Sequence, residues 1–108
     1  MVLSGEVKTV VVDEAGSAAN ELVAAVSGKA IRILALALLS DSAVDVTIQD
    51  DTGGGAVVLI GPLGDINKVS FVLPFSEEGW GQTTRGQALD MLLGGATQTT
   101  GVLVYAEV

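Results

Sequence analysis

The chain is expected to fold as an all-β protein, an antiparallel β-sandwich of the jelly-roll type with seven or eight strands. Three observations lead there. Fourteen glycines punctuate the 108 residues at short intervals, the spacing of many short strands joined by tight turns. The segments between them are rich in β-branched residues, and several alternate apolar with polar side chains, the period of a strand with one wet face. Only the Ala-rich run at 18–25 favours a helix locally, and Ser27-Gly28 stops it at once. Short strands at these spacings pack best as two sheets, with an up-and-down barrel as the alternative.

Taken in order, the first strand is expected over Glu6–Asp13, with residues 1–5 as an N-terminal arm, and a loop follows at Glu14–Ser17. Asn20–Val26 is assigned as a strand. Lys29–Asp50 then reads as two strands joined by the polar turn Ser40-Asp41-Ser42, and the Asp50–Gly55 loop leads to a strand over Ala56–Ile60 that ends at Gly61-Pro62. The next runs over Lys68–Phe75, where Val69, Phe71 and Leu73 oppose Lys68, Ser70 and Val72. Its Pro74 has no N–H to give a ladder and marks an edge or a strand end. Gln87–Leu93 alternates Leu89, Met91 and Leu93 against Ala88, Asp90 and Leu92, and the last strand covers Gly101–Val108. There is no internal repeat and no linker, so residues 1–108 form one domain.

The two strands of Lys29–Asp50 differ in kind. In the second, Val44, Val46 and Ile48 share one face and Asp45, Thr47 and Gln49 the other, which describes a half-buried strand. The first is apolar on both faces, with Leu34, Leu36 and Leu38 on one and Ile31, Ile33, Ala35, Ala37 and Leu39 on the other. An antiparallel strand without a wet face needs a second cover, and in so small a chain that cover is expected to be another copy. Leu34, Leu36 and Leu38 are therefore expected at a subunit interface. Trp80, the one tryptophan, lies in a loop after Glu77-Glu78-Gly79. With Phe75 it is expected either to cap an open end of the sandwich or to anchor an interface, and both roles are compatible at a subunit contact.

Composition narrows the chemistry. Five Lys and Arg against thirteen Asp and Glu give a net charge of −8. The five cations are scattered, so neither nucleic acid nor an anionic membrane is an expected partner. Aromatics make up 4%, so the core must be aliphatic. Histidine and cysteine are absent, which removes the usual general base, the commonest imidazole ligand, thiolate metal sites and disulfides. Asp13-Glu14, Asp50-Asp51 and Glu77-Glu78 are adjacent in sequence. Neighbours on a strand point to opposite faces, so these pairs read as solvated turn charges rather than a glycosidase dyad. Asp50-Asp51-Thr52-Gly53 and Asp41-Ser42 offer oxygens to Ca²⁺ but lack EF-hand spacing, and solvated carboxylates are the better account. Gly53-Gly54-Gly55 lacks the Gly-Lys-Ser/Thr ending of a phosphate loop. No enzyme, no cofactor and no metal is expected. The first sixteen residues show no basic segment followed by an apolar one, so no secretory signal is expected. The longest apolar run, Ala30–Leu39, is far short of the roughly 20 residues of a membrane helix.

Several short pieces stand in a particular order along the chain. They are Gly28-Lys29-Ala30-Ile31-Arg32-Ile33-Leu34, Gly61-Pro62-Leu63, Phe71-Val72-Leu73-Pro74, Gly79-Trp80, Gly86-Gln87-Ala88-Leu89 and the terminal Leu103-Val104-Tyr105-Ala106-Glu107-Val108. Together, over residues 28–108, they resemble a family of small jelly-roll proteins of tailed bacteriophages. Its pattern runs as a GKxIRVL strand, a GPL turn, a GW loop, a GEAL strand and a YVEV ending. The chain departs from it at Gln87, where the pattern has Glu, and in its longer acidic Asp50–Gly55 turn. The resemblance implies a virion structural role, that of a capsid decoration (cement) protein. Such a protein is a homotrimer made in the host bacterial cytoplasm that binds the major capsid protein between capsomers on the outer surface and stabilises the head. Related sandwiches at tail-fibre or spike tips imply the alternative, a domain that binds a host-surface glycan through Trp80 and acidic loops.

Overall fold

The computed structural model describes residues 7–50, 57–66 and 70–108; the expected N-terminal arm, the Asp51–Gly55 loop and the strand start at Lys68 lie outside them. The strands are β1 (Val7–Glu14), β2 (Ala18–Val23), β3 (Ile31–Ser40), β4 (Val44–Asp50), β5 (Val57–Ile66), β6 (Phe71–Leu73), β7 (Gly81–Gln82), β8 (Leu89–Leu93) and β9 (Thr99–Glu107). They form two antiparallel sheets. Sheet 1 has the order β1-β9-β3-β6, with β7 also paired to β3, and sheet 2 has the order β2-β8-β4-β5. From β1 to β4 each connection crosses from one sheet to the other, and the chain crosses back after β5 and again on either side of β8. That wrapping is the jelly-roll arrangement expected of the sequence.

Several details depart from expectation, each for a physical reason. Nine strands occur among the described residues because β7 is a two-residue pairing of Gly81 and Gln82 with Ile33 and Arg32, too short to leave a period in the sequence. The Ser40-Asp41-Ser42 turn does not close a hairpin. It carries the chain between sheets, and the Asp41 N–H donates to the Gln98 carbonyl (2.9 Å). β5 continues through Gly61-Pro62 instead of ending there. It is the outer strand of its sheet, where a missing N–H is tolerated, and its register with β4 shifts repeatedly. Gly61 makes one of these irregularities possible. Its φ is +98°, and a Cβ would lie 2.9 Å from the Val46 carbonyl oxygen, so only glycine passes without strain.

The core lies between the sheets and is aliphatic apart from Met91, Phe71 and Tyr105. β4 packs only in part as its alternation predicts: Val44, Val46 and Ile48 are buried and Asp45 is exposed, but Thr47 on the expected wet face is buried and Gln49 only partly exposed. β3 does not. Against β9 its register shifts between Ile33, opposite Tyr105, and Ala35, opposite Val104, leaving Leu34 as an extra residue. This bulge inverts the parity of the strand. Ile31 and Ile33 before it, and Leu36 and Leu38 after it, all join the same inter-sheet cluster.

The expected subunit role of Leu34, Leu36 and Leu38 is thereby corrected, since they are 0%, 2% and 2% exposed within a single chain. Leu36 and Leu38 are core. Leu34 lies beside the segment between β6 and β7, which donates the Ser76 N–H to its carbonyl (2.9 Å). Accordingly, Leu36→Ala should lower unfolding stability by about 2–5 kcal/mol, the cost of a cavity in a packed core. Urea denaturation measures this, and a loss below about 1 kcal/mol would remove Leu36 from the core.

Candidate functional site

Once the bulge has sent the leucines inward, the residues left on the outside of β3 are Arg32, Ala35, Ala37 and Leu39. Register places their neighbours. Val11 of β1 lies opposite Val102 of β9, Val102 opposite Ala37, and Ala37 opposite Val72 of β6. Residues directly opposite on paired strands share a face, so these four make one apolar row across the whole sheet. Beside it run Thr9–Val104–Ala35 on one side and Asp13–Thr100–Leu39 on the other, with Val7–Ala106–Arg32 beyond. Among the described residues, Val7, Val11, Leu39, Val72 and Val102 are five of the ten exposed large hydrophobic residues, and Val11 is the most exposed of them at 76%. A hollow of about 150 Å³ opens beside the row, lined by Ala37, Leu39, Ser70, Val72 and Thr100.

The outside of sheet 2 is different in character. Registers put Glu21 opposite Asp90, Asp90 opposite Gln49, and Thr47 opposite Leu92. With Asp45 this face carries three carboxylates and, among the described residues, no cation. The outside of sheet 2 thus mixes the exposed acids Glu21 and Asp45 with the exposed Val58 and Leu92, while Asp90 is buried.

Phe75 and Trp80 sit in the connection from β6 to β7, 55% and 42% exposed. The Trp80 N–H donates to the Ile33 carbonyl (2.8 Å), and its indole Nε1 donates to the Pro74 carbonyl (2.7 Å). The indole is therefore fixed with its polar edge satisfied and much of its surface in water. Gly79, at φ +84°, precedes it; a Cβ there would press on the Arg32 side chain at 2.6 Å. Arg32 in turn donates from Nε to Gln82 Oε1 (3.0 Å). Neither aromatic joins the leucines that were expected to share an interface with them.

One acidic residue is misjudged by sequence alone. Asp50 is fully buried rather than a solvated turn charge. Its Oδ1 accepts the Val57 N–H (3.1 Å), and its Oδ2 accepts both the Thr84 N–H and the Thr84 hydroxyl (2.8 Å each). It thus ties the end of β4 to the start of β5 and to the turn before β8. Nothing in its sequence neighbourhood, two adjacent aspartates before a glycine triplet, separates this role from that of a solvated loop acid. The rest of the Asp50–Gly55 loop, proposed as a source of Ca²⁺ ligands, lies outside the described residues. Among those described, no group of three or more His, Cys, Asp or Glu converges. A depression of about 400 Å³, lined by Leu39, Ser40, Asp41, Gln98 and Thr100, holds a single carboxylate and no base or cation.

No protein-family model, curated protein or solved structure matches the chain.

The Asp50 node makes a stability prediction. Asp50→Ala leaves two backbone N–H groups and a hydroxyl facing a void. It should destabilise the fold by about 3 kcal/mol or more, since each bond to a buried charge is worth about 1.5–3 kcal/mol. At about 4–8 °C per kcal/mol for a domain of this size, a thermal melt should shift down by more than about 10 °C.

Proposed function

We propose that the chain is a non-enzymatic structural protein of a tailed-phage virion. In this proposal it is a capsid decoration (cement) protein that works as a homotrimer, binds the major capsid protein between capsomers on the outer surface and stabilises the head. The observation that carries the proposal is the aliphatic row Val11–Val102–Ala37–Val72 on the outside of an otherwise acidic sandwich. A cement protein works by burying surface, and a contiguous apolar sheet face is what monomeric soluble proteins rarely leave open. At roughly 25 cal/mol per Å² of apolar area, a few hundred Å² buried contributes several kcal/mol before the cost of association. The opposite face, where Glu21 and Asp45 are exposed, is complementary to basic patches on a shell. The ordered pieces from Gly28 to Val108 that resemble small phage jelly-roll proteins give the setting.

The alternative, a fibre or spike tip that binds a glycan, draws on one observation: Trp80 is held with its ring surface partly free. A stacked sugar also needs directed hydrogen bonds, and the indole N–H is already engaged within the chain.

The two separate on copy number. In purified particles, a decoration protein should be present near one copy per major capsid subunit or in a local threefold ratio. Particles assembled without it should release their genome at lower temperature. A handful of copies per virion, with host adsorption weakened by Trp80→Ala, would instead support the fibre assignment. Quantitative gel densitometry and thermal DNA release of particles with and without the chain are the measurements.

A further inference from the structure

We infer that β1, at the open edge of sheet 1, pairs antiparallel with β1 of a second copy about a twofold axis at Val11, joining the two sheets into one. The inference goes beyond the proposed function, because the contact holds two chains only and does not depend on a virion setting. In that setting it would link chains of neighbouring trimers.

The four sheet edges are not alike. An edge strand presents unpaired N–H and C=O groups that invite a further strand, unless it is very short, bulged or interrupted by proline. β5 shifts register repeatedly against β4 and passes through Pro62. β6 has three residues and runs into Pro74. β2 has six and shifts register against β8 between Glu21 and Val23. β1 has none of these features. Its eight residues pair with β9 in unbroken register, from Val7 opposite Ala106 to Glu14 opposite Thr99. Among the described residues β9 is its one partner strand, so every second residue of β1 turns its N–H and C=O outward.

The flank beneath this edge is incompletely covered. Val7, Thr9, Val11 and Asp13 are exposed on the outer face of the sheet, and Lys8, Val10, Val12 and Glu14 face inward. Val10, and Leu22 from the edge strand of the opposite sheet, pack against the core only in part. An added strand whose inward middle residues are apolar would complete their cover.

β1 is itself such a strand. In a twofold antiparallel pair the hydrogen-bonded residues are outward-turned in both copies, so the axis passes through a residue and not between two. Centred on Val11, the pairing sets Lys8 opposite Glu14 of the other copy, Thr9 opposite Asp13, Val10 opposite Val12, and Val11 opposite its own counterpart. Opposite charges and β-branched neighbours are the cross-strand pairs that stabilise a sheet. Centring on Val10 would instead set Lys8 against Val12 and Asp13 against Val7. Centring on Val12 would set Glu14 against Val10 and Asp13 against Val11. Lys8 holds Glu107 (3.0 Å) with its side chain still 38% exposed, and an ammonium has donors for a second carboxylate. On the outer face the row Val72–Ala37–Val102–Val11 then runs on into the same row of the second copy. The hold of such a contact comes from the main-chain ladder rather than from a broad area, and the side chains set its register.

The test uses the absence of cysteine from the chain. Directly opposed residues lie about 4.5–5.5 Å apart at Cα, within the span of a disulfide. Under mild oxidation Val11→Cys should therefore form a disulfide-linked dimer on a non-reducing gel. Val72→Cys, 59% exposed on the far edge strand, gives the rate of chance collision, which Val11→Cys should exceed several-fold. Thr9→Cys and Asp13→Cys should each fail to link with themselves, the like positions lying about 14 Å apart, yet should link with each other when mixed. Added to Val11→Cys, Lys8→Glu or Glu14→Lys should slow linking about tenfold by setting like charges opposite one another, and mixing those two variants should restore it. Far-UV circular dichroism should show the sandwich retained throughout. Linking of Val11→Cys no faster than that of Val72→Cys would overturn the inference, as would Thr9→Cys linking with itself or charge variants without effect. Linking that follows this register in a chain that does not bind phage heads would keep the contact and remove the virion assignment alone.

Discussion

One inserted residue governs the surface of this protein. Leu34 interrupts the pairing of β3 with β9, so a strand whose sequence is apolar on both sides delivers Ile31, Ile33, Leu36 and Leu38 to the same core. Without the bulge, strict alternation would send either the isoleucines or the leucines outward. The cost of the bulge is a lost rung in the ladder, and it is offset locally. The carbonyls of Ile33 and Leu34 accept the N–H groups of Trp80 and Ser76 from the segment that runs alongside. The packing of the core and the position of Trp80 therefore share one origin.

Filling the core from one strand has a consequence outside it. What remains on the outer side of β3 after the large residues have turned inward is alanine at positions 35 and 37 with Leu39 beyond. Flanked by valines of β1, β9 and β6, these small residues leave a shallow, uncharged face. The expectation that a two-faced strand calls for a second cover was attached to the wrong residues, since the leucines are covered by the opposite sheet of the same chain. The exposed apolar residues lie instead on the row that crosses the sheet at Val102 and Ala37. The outside of sheet 2, by contrast, carries the exposed acids Glu21 and Asp45 beside the exposed Val58 and Leu92.

Much of this architecture is legible in the sequence and some is not, for identifiable reasons. The alternation of Val44, Val46 and Ile48 against polar residues places β4 correctly because a strand with one wet face writes its orientation in period two. β8 is legible in the same way through Leu89, Met91 and Leu93. The bulge at Leu34 is invisible because an inserted residue in an all-apolar run disturbs no pattern. β5 passes through Gly61-Pro62 because it is an outer strand, and edge position is a property of topology, not of composition. Asp50 carries no local sign of burial, since its hydrogen-bond partners Val57 and Thr84 come from two other segments, Thr84 being 34 positions away. The face residues Val11, Val72 and Val102 each look like ordinary strand valines; only the register of three pairings makes them a surface.

Four of the short pieces, at 28–34, 79–80, 86–89 and 103–108, meet one another in space. Ala30 and Val108 exchange backbone hydrogen bonds (3.0 and 2.8 Å), and the Gly86 N–H donates to the Lys29 carbonyl (2.7 Å). The Ile31 N–H donates to the Thr83 hydroxyl (2.8 Å), and Arg85 Nη1 donates to the Gly28 carbonyl (2.6 Å). The start of β3, the Gly79-Trp80 loop, the turn before β8 and the end of β9 therefore close one end of the sandwich together. Such a closure draws on residues far apart in sequence, because backbone groups of one segment are satisfied by another. The pieces then record how the sandwich is sealed.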